Sequence, residues 1–293
     1  MTVHAILCPI DVLDPGERRV LEYASLLAAA LDARFYALHV YEVPGYVDPD
    51  PDAPAVRSYA ERALTEQRER FGALVDHLPG AFAQPALLPG LPHRRIGDEV
   101  ERLGAGLVVM GTHARRGLSR LALGSIAERV VRSSRVPVLT VPRAGEPPPS
   151  PPRSLLVPHD LSTSSRRALA LARDLHVPLR ASVAVVHVLP DELSAAAEAP
   201  AWLTAPERER YRGLLAEALE RDVSEVFGPE DQAVKKLLEH GDVVETVLAR
   251  QAALGAALLV VGASGKSGTE RALLGSVTTE LLRRSPVPVL TVP

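Results

Sequence analysis

Residues 123–142 read LGSIAERVVRSSRVPVLTVP, and residues 274–293 read LGSVTTELLRRSPVPVLTVP. The two stretches align without gaps at an offset of 151 (274 − 123) and end in the same heptapeptide, VPVLTVP. An internal duplication therefore organises the chain. Upstream of each stretch, short apolar runs alternate with amphipathic ones, the pattern of βα units built on a parallel sheet.

In the first copy the strand-like runs are VHAILCPI, ARFYALHVY, a weaker AFAQPALL, GLVVM and VPVLTV. In the second they are SLLVP, RASVAVVHVL, a weak QAVKKLL, AALLVV and VPVLTV. Helical periodicity is clear at 18–31 and 164–175, where leucine and alanine recur at i, i+3 and i+4, and charge-rich amphipathic helices are expected at 56–78 and 204–226. The proline-rich RAGEPPPSPPR (143–153) reads as a stiff extended linker. The expected organisation is α/β: two tandem five-stranded parallel-sheet modules with helices on both faces, of Rossmann-like type. The modules span 1–143 and 154–293, and 144–153 is the linker. Each copy ends in the VPVLTV strand, where an edge strand would lie, so strands 136–141 and 287–292 are expected to pair, with a homodimer as a further possibility.

Composition narrows the function. With 46% hydrophobic and 24% charged residues, a net charge of −3 and no long run of like charge, nothing marks a nucleic-acid footprint or a membrane span. The N-terminal MTVHAILCPID reads as a first strand rather than a targeting segment, which makes a cytoplasmic location the default expectation. The single cysteine, Cys8, reads as a small buried hydrophobe within that strand.

Ligands of such folds sit at the carboxyl ends of the strands. After its fourth strand the second copy reads VGASGKSGTERALLGS (261–276). The Gly-Lys-Ser is not a P-loop, because the glycine needed four residues before Gly-Lys is replaced by Val260. The spacing is instead G-x2-G-x9-G-S, from Gly262 and Gly265 to Gly275 and Ser276. The first two glycines allow positive φ or a close backbone approach to an anion, and the helix start behind Ser276 offers unsatisfied N–H groups. A glycine-rich turn with Ser276 as a plain N-cap is the competing reading.

With these motifs the chain resembles the universal stress protein family in its tandem form, and its second copy matches the loop of the ATP-binding branch. The resemblance implies that Gly262, Gly265, Gly275 and Ser276 hold the phosphates and ribose of ATP, accompanied by Mg2+, with Val261 and Val277 flanking. Lys266 either adds a point charge or stays solvated. The same resemblance implies that Pro9 and Asp11 of CPID (8–11) and Pro158 and Asp160 of VPHD (157–160) stand beside the adenine and ribose, and that Val40 and Val188, at the end of the second strand, cover the adenine face. Asp11, Asp160 or Ser162 could equally cap the helix that follows. His39 and His187 read as satisfied strand-end residues.

In the first copy Met110, Gly111, Gly124, Ser125 and Ile126 match, but Ala114 stands where the second loop glycine belongs. An alanine held at positive φ costs about 1 kcal/mol, so the first site is expected to be the weaker one; Arg115 and Arg116 could offset part of the loss. No metal-binding motif, cysteine pair or nucleophile elbow is present. The expectation is a cytoplasmic ATP-binding regulatory or signalling protein, with at most weak ATPase or autophosphorylation activity. The alternatives are a slow ATP hydrolase or phosphoryl or nucleotidyl transferase, and a scaffold that binds no nucleotide.

Overall fold

A computed structural model describes residues 3–14, 16–41, 54–76, 78, 82–112, 123–142, 150–189, 204–228, 234–264 and 274–293. Ala114, Gly265, Lys266 and most of the linker lie outside these residues. The first copy runs β1 (Ala5–Ile10), α1 (Glu17–Ala30), β2 (Arg34–Tyr41), α2 (Pro54–Val75), β3 (Phe82–Pro89), α3 (Pro92–Leu103), β4 (Leu107–Gly111), α4 (Ser125–Ser133) and β5 (Val138–Val141). The second repeats the order: β6 (Ser154–Pro158), α5 (Thr163–Leu179), β7 (Ser182–Leu189), α6 (Ala205–Phe227), β8 (Val234–His240), α7 (Val243–Leu254), β9 (Leu258–Gly262), α8 (Ser276–Arg284) and β10 (Val289–Val292).

The chain divides into two compact units, one of residues 2–130 and one formed chiefly by 131–142 and 152–293. In the first unit β2 pairs with β1 and β3, and β1 with β4, all parallel. In the second, β8, β7, β6, β9 and β10 follow one another, again all parallel. Every residue of β1 is buried. Since neighbouring strand residues point to opposite faces, both faces of the sheet are covered there, as a parallel α/β sheet requires.

The VPVLTV strands depart from a simple edge. β10 is flanked by β9 on one side and by β5 on the other, antiparallel in the register Val289↔Thr140, Leu290↔Leu139 and Thr291↔Val138. This is the pairing read from 136–141 and 287–292. It places β5, from the first sequence copy, inside the compact unit of the second. The antiparallel register sets Leu290 against Leu139 and each threonine against a valine, all buried, and Thr140 Oγ1 donates to the Val289 carbonyl at 3.1 Å.

The weak AFAQPALL run forms a full strand because its proline falls at an irregularity. The register steps from Tyr36↔Ala83 to Leu38↔Ala86, so Pro85 lies where the ladder is already broken. After β3 and β8 the chain turns through Gly90 (φ 136°) and Gly241 (φ 129°), a region closed to L side chains. Their N–H groups donate to the Tyr41 and Leu189 carbonyls at 3.0 Å. Each turn leads into a helix: α3 begins with Pro92, and α7 is capped by Asp242, whose Oδ1 accepts from Val244 and Glu245 N–H at 2.9 Å.

Candidate functional site

In the second copy the parallel register brings the ends of β6, β7 and β9 to one side of the sheet. Pro158 ends β6, Val188 stands near the end of β7, and Val261 and Gly262 end β9. Val188 and Val261 are buried, while Pro158, Asp160, Gly262, Gly275 and Val277 are half-buried. Gly275 returns to this point because its N–H donates to the Ala263 carbonyl at 2.8 Å, and Thr278 Oγ1 ties the first turn of α8 to the Gly262 carbonyl at 2.8 Å. Gly262 and the start of α8 are thereby held together from both ends of a loop whose middle lies outside the described residues.

Ser276 is not the N-cap. Gly275 takes that position with extended backbone, and Ser276 is the exposed first residue of α8. The bland role foreseen for its hydroxyl therefore falls away, since a side chain caps from the position before the first turn. The helix that is capped by a serine is α5, where Ser162 Oγ accepts from Ser165 N–H at 3.2 Å. Asp160 Oδ1 accepts from Ser162 N–H at 3.0 Å, and the equivalent Asp11 Oδ1 accepts from Leu13 N–H at 3.0 Å. Both aspartates thus close a turn rather than cap a helix. In the second copy that turn holds Leu161 at φ 67°, an unfavoured conformation for a bulky side chain.

Gly262 has a packing reason of its own. It is absent from the positive-φ residues, and a Cβ added there would stand 2.5 Å from Ser164 Oγ and 2.8 Å from the Ser164 carbonyl carbon. The start of α5 therefore leans directly on the end of β9. Ser164 Oγ also accepts from Ser264 N–H at 3.3 Å, joining that helix to the loop.

The first copy repeats the frame with different side chains. Pro9 is buried, Asp11 and Val40 are half-buried, Met110 is buried and Gly111 ends β4. Gly124 N–H donates to the Thr112 carbonyl at 2.8 Å, and Ser125 and Ile126 are exposed at the start of α4. A Cβ on Gly111 would stand 2.9 Å from Glu17 Oε1, so a carboxylate occupies the place that Ser164 fills in the second copy. Glu17 is 8% exposed. The next difference is at α4, where Ala127 replaces Thr278 and Glu128 stands in the first turn, whereas α8 has no acid there.

His39 and His187 are satisfied strand-end residues. His39 Nδ1 donates to the Ile10 carbonyl at 2.9 Å, and His187 Nδ1 to the His159 carbonyl at 2.6 Å. Beneath them the copies diverge. His39 Nε2 lies 3.1 Å from the Gln67 side-chain amide of α2. In the second copy His159, fully buried, donates from Nε2 to Asp222 Oδ2 of α6 at 2.9 Å, and Arg166 Nε of α5 donates to the same oxygen at 2.8 Å. Burial alone would raise the Asp222 pKa, but the bonds from Arg166 and His159 outweigh it and hold the carboxyl below its ordinary value. Cys8 is fully buried, and desolvation followed by the Glu17 charge pushes its thiol up.

Glu17, Ser164, Thr278 and the His159–Asp222–Arg166 cluster are absent from the sequence reading. Thr278 had a signal, since it is a hydroxyl set against Ala127 in an otherwise aligned pair. Asp222 had none, because in the sequence it is one more charge on an amphipathic helix.

The universal stress protein family model matches residues 2–142 and again 152–293. The chain belongs to that family, in a form with two tandem copies. A universal stress protein of Methanocaldococcus jannaschii, MJ0531, is 32% identical over 141 residues, which are 46% of this chain and 80% of that protein. Universal stress protein E of Escherichia coli K12 is 33% identical over 100 residues, 34% of this chain and 29% of that one. The fold is that of a solved universal stress protein from Archaeoglobus fulgidus, at TM-score 0.64 and 22% identity, covering 100% of this chain and 99% of the other. Among the described residues no helix is long and apolar enough to cross a membrane.

Proposed function

We propose that the protein is an ATP-binding universal stress protein with a regulatory or signalling role, and that its second module is the better nucleotide site. The observation that carries this is the meeting of Gly262 with the start of α8 at Gly275 and the exposed Ser276, on the strand that pairs with β6, whose following turn holds Asp160. The residues suit the ligand. A helix start with an exposed hydroxyl offers N–H groups and partial positive charge to phosphates. Asp160 can accept from ribose hydroxyls, and Val188 and Val261 give an apolar wall for a base. Gly265 and Lys266, outside the described residues, would add phosphate contacts from the loop, and Mg2+ would enter with the phosphate oxygens.

The equivalent set in the first module is Pro9, Asp11, Val40, Met110, Gly111, Ala114, Gly124, Ser125 and Ile126. It is the weaker site, with Ala114 in place of the loop glycine. Titration calorimetry with ATP tests the site. Gly265→Val and Ser276→Ala are each expected to weaken binding about tenfold or more, the loss of roughly one charge-assisted contact. Unchanged affinity in both variants would show that ATP, if it binds, binds elsewhere.

A further inference from the structure

The turn that carries Asp160 is held at both ends by one carboxylate. Before it stands His159, whose backbone N–H donates to the Val186 carbonyl at 2.8 Å and whose carbonyl accepts from His187 Nδ1 at 2.6 Å. Its side chain reaches α6, where Nε2 donates to Asp222 Oδ2 at 2.9 Å. After it, in the first turn of α5, Arg166 Nε donates to the same oxygen at 2.8 Å, and the Arg166 N–H donates to the carbonyl of the N-cap, Ser162. Ser162 N–H donates in turn to Asp160 Oδ1 at 3.0 Å. The contacts close a ring from Asp222 through His159, Asp160, Ser162 and Arg166 back to Asp222. Within that ring Leu161 is held at φ 67°, a conformation that persists only where the surroundings over-determine it.

The first module lacks the ring. Ile10 stands in the place of His159, and Arg18, aligned with Arg166 in ERR (17–19) and SRR (165–167), pairs with Glu22 of its own helix at 2.8 Å. Stability does not explain the histidine. Its side chain is fully buried, and with Nε2 bonded to Asp222 its Nδ1 has no hydrogen-bond partner among the described residues, a cost that an isoleucine in the same place avoids.

We propose that Asp222 is a positioning residue of the second module's site: by clamping His159 and Arg166 it holds the intervening turn so that Asp160 meets ribose hydroxyls, and it thereby sets how strongly the site prefers a ribose to a deoxygenated sugar. This rests on the nucleotide-binding reading above and adds a specificity determinant that touches no ligand. The physical reason is preorganisation. A carboxylate on an untethered turn loses conformational freedom when it meets a ligand, whereas here that ordering precedes binding. Hydrogen bonds also weaken steeply with misalignment, so contacts to the hydroxyls depend on where the turn holds Asp160, and contacts to base and phosphates from β7, β9 and α8 do not.

Calorimetric titration of the full chain with ATP and with 2′,3′-dideoxy-ATP, which lacks both ribose hydroxyls, separates positioning from a merely structural role. At its tighter site, wild type is expected to bind ATP at least about tenfold more tightly than the dideoxy analogue, the loss of roughly one charge-assisted hydrogen bond. Arg166→Met and Asp222→Asn are each expected to cut that preference to about threefold or less through lost ATP affinity, with dideoxy-ATP affinity within about twofold of wild type. Arg166→Met decides alone where Asp222→Asn fails to fold, because the arginine side chain is 51% exposed and the bond from His159 to Asp222 stays in place. A folded variant that keeps the wild-type preference, or that loses affinity for both nucleotides to the same degree, overturns the inference and leaves the nucleotide reading standing. Wild type that binds ATP without preferring it does the same. If wild type binds neither nucleotide, both fall.

Discussion

The two modules share a frame and differ in what fills it. Both tie the carbonyl at the end of the first strand to a histidine on the second, through Ile10 with His39 and His159 with His187. Both close the turn after the first strand with an aspartate. Then they part. The turn and helix start read DVLDPGE at 11–17 and DLSTSS at 160–165, acids in one and hydroxyls in the other. Duplication preserved the backbone geometry, which every βα unit needs to close, and left free the side chains that set the charge of the site.

The largest predicted difference concerns the buried cluster found in the second module. Asp222→Ala leaves the buried His159 without its acceptor and frees the half-exposed Arg166 to water, and is expected to cost about 2–3 kcal/mol, whereas Gln67→Ala, which removes a neutral amide contact, costs about 1 kcal/mol. Denaturant unfolding of both variants would measure this, and equal losses would remove the asymmetry. The cluster also predicts a pH dependence. The folded-state pKa of Asp222 is lowered. Its stabilisation is therefore complete above the ordinary aspartate value of about 4, and is lost as pH falls through the lowered folded value. Asp222→Asn should flatten the acid limb of the stability curve, and an unchanged limb would assign acid sensitivity to other groups.

The strand-end glycines come next. Gly262→Ala drives a methyl into the Ser164 backbone and is expected to cost about 1–3 kcal/mol, while Gly111→Ala meets the movable end of Glu17 and costs less than about 1 kcal/mol. Thermal denaturation that ranks them the other way would contradict the packing described here. Smallest is the difference expected where the copies agree. Gly90→Ala and Gly241→Ala force a side chain to φ near +130° and should each lose about 1–2 kcal/mol, within a few tenths of one another. A large gap between them would mean that the shared frame is less uniform than its turns suggest.

The comparison also marks where sequence patterns stop being informative. The duplication and the strands were legible because each is local: apolar period, turn residues and spacing. The interior position of β10 was only half legible, since the strand's alternation shows that it pairs but its place at the end of a copy suggests an edge. Which residue caps α8 was not legible, because Gly and Ser both favour the N-cap and the sequence Gly275-Ser276 does not say which is used. Glu17 was invisible for a better reason. An acid at the start of a helix is the commonest of surface features, stabilised by the helix dipole, and only its burial against Gly111 gives it another meaning. Asp222 needed three elements to meet before it differed from its charged neighbours on α6.

The central claim is that the second module is the better nucleotide site. Ser276→Asp and Ser125→Asp put the same negative charge at the start of α8 and of α4, at exposed positions where neither disturbs packing. Titration of ATP into both variants and wild type tests the claim most directly. About one ATP per chain is expected for wild type and for Ser125→Asp, with affinity reduced at least about tenfold in Ser276→Asp. Loss of binding in Ser125→Asp, with Ser276→Asp indistinguishable from wild type, would contradict it.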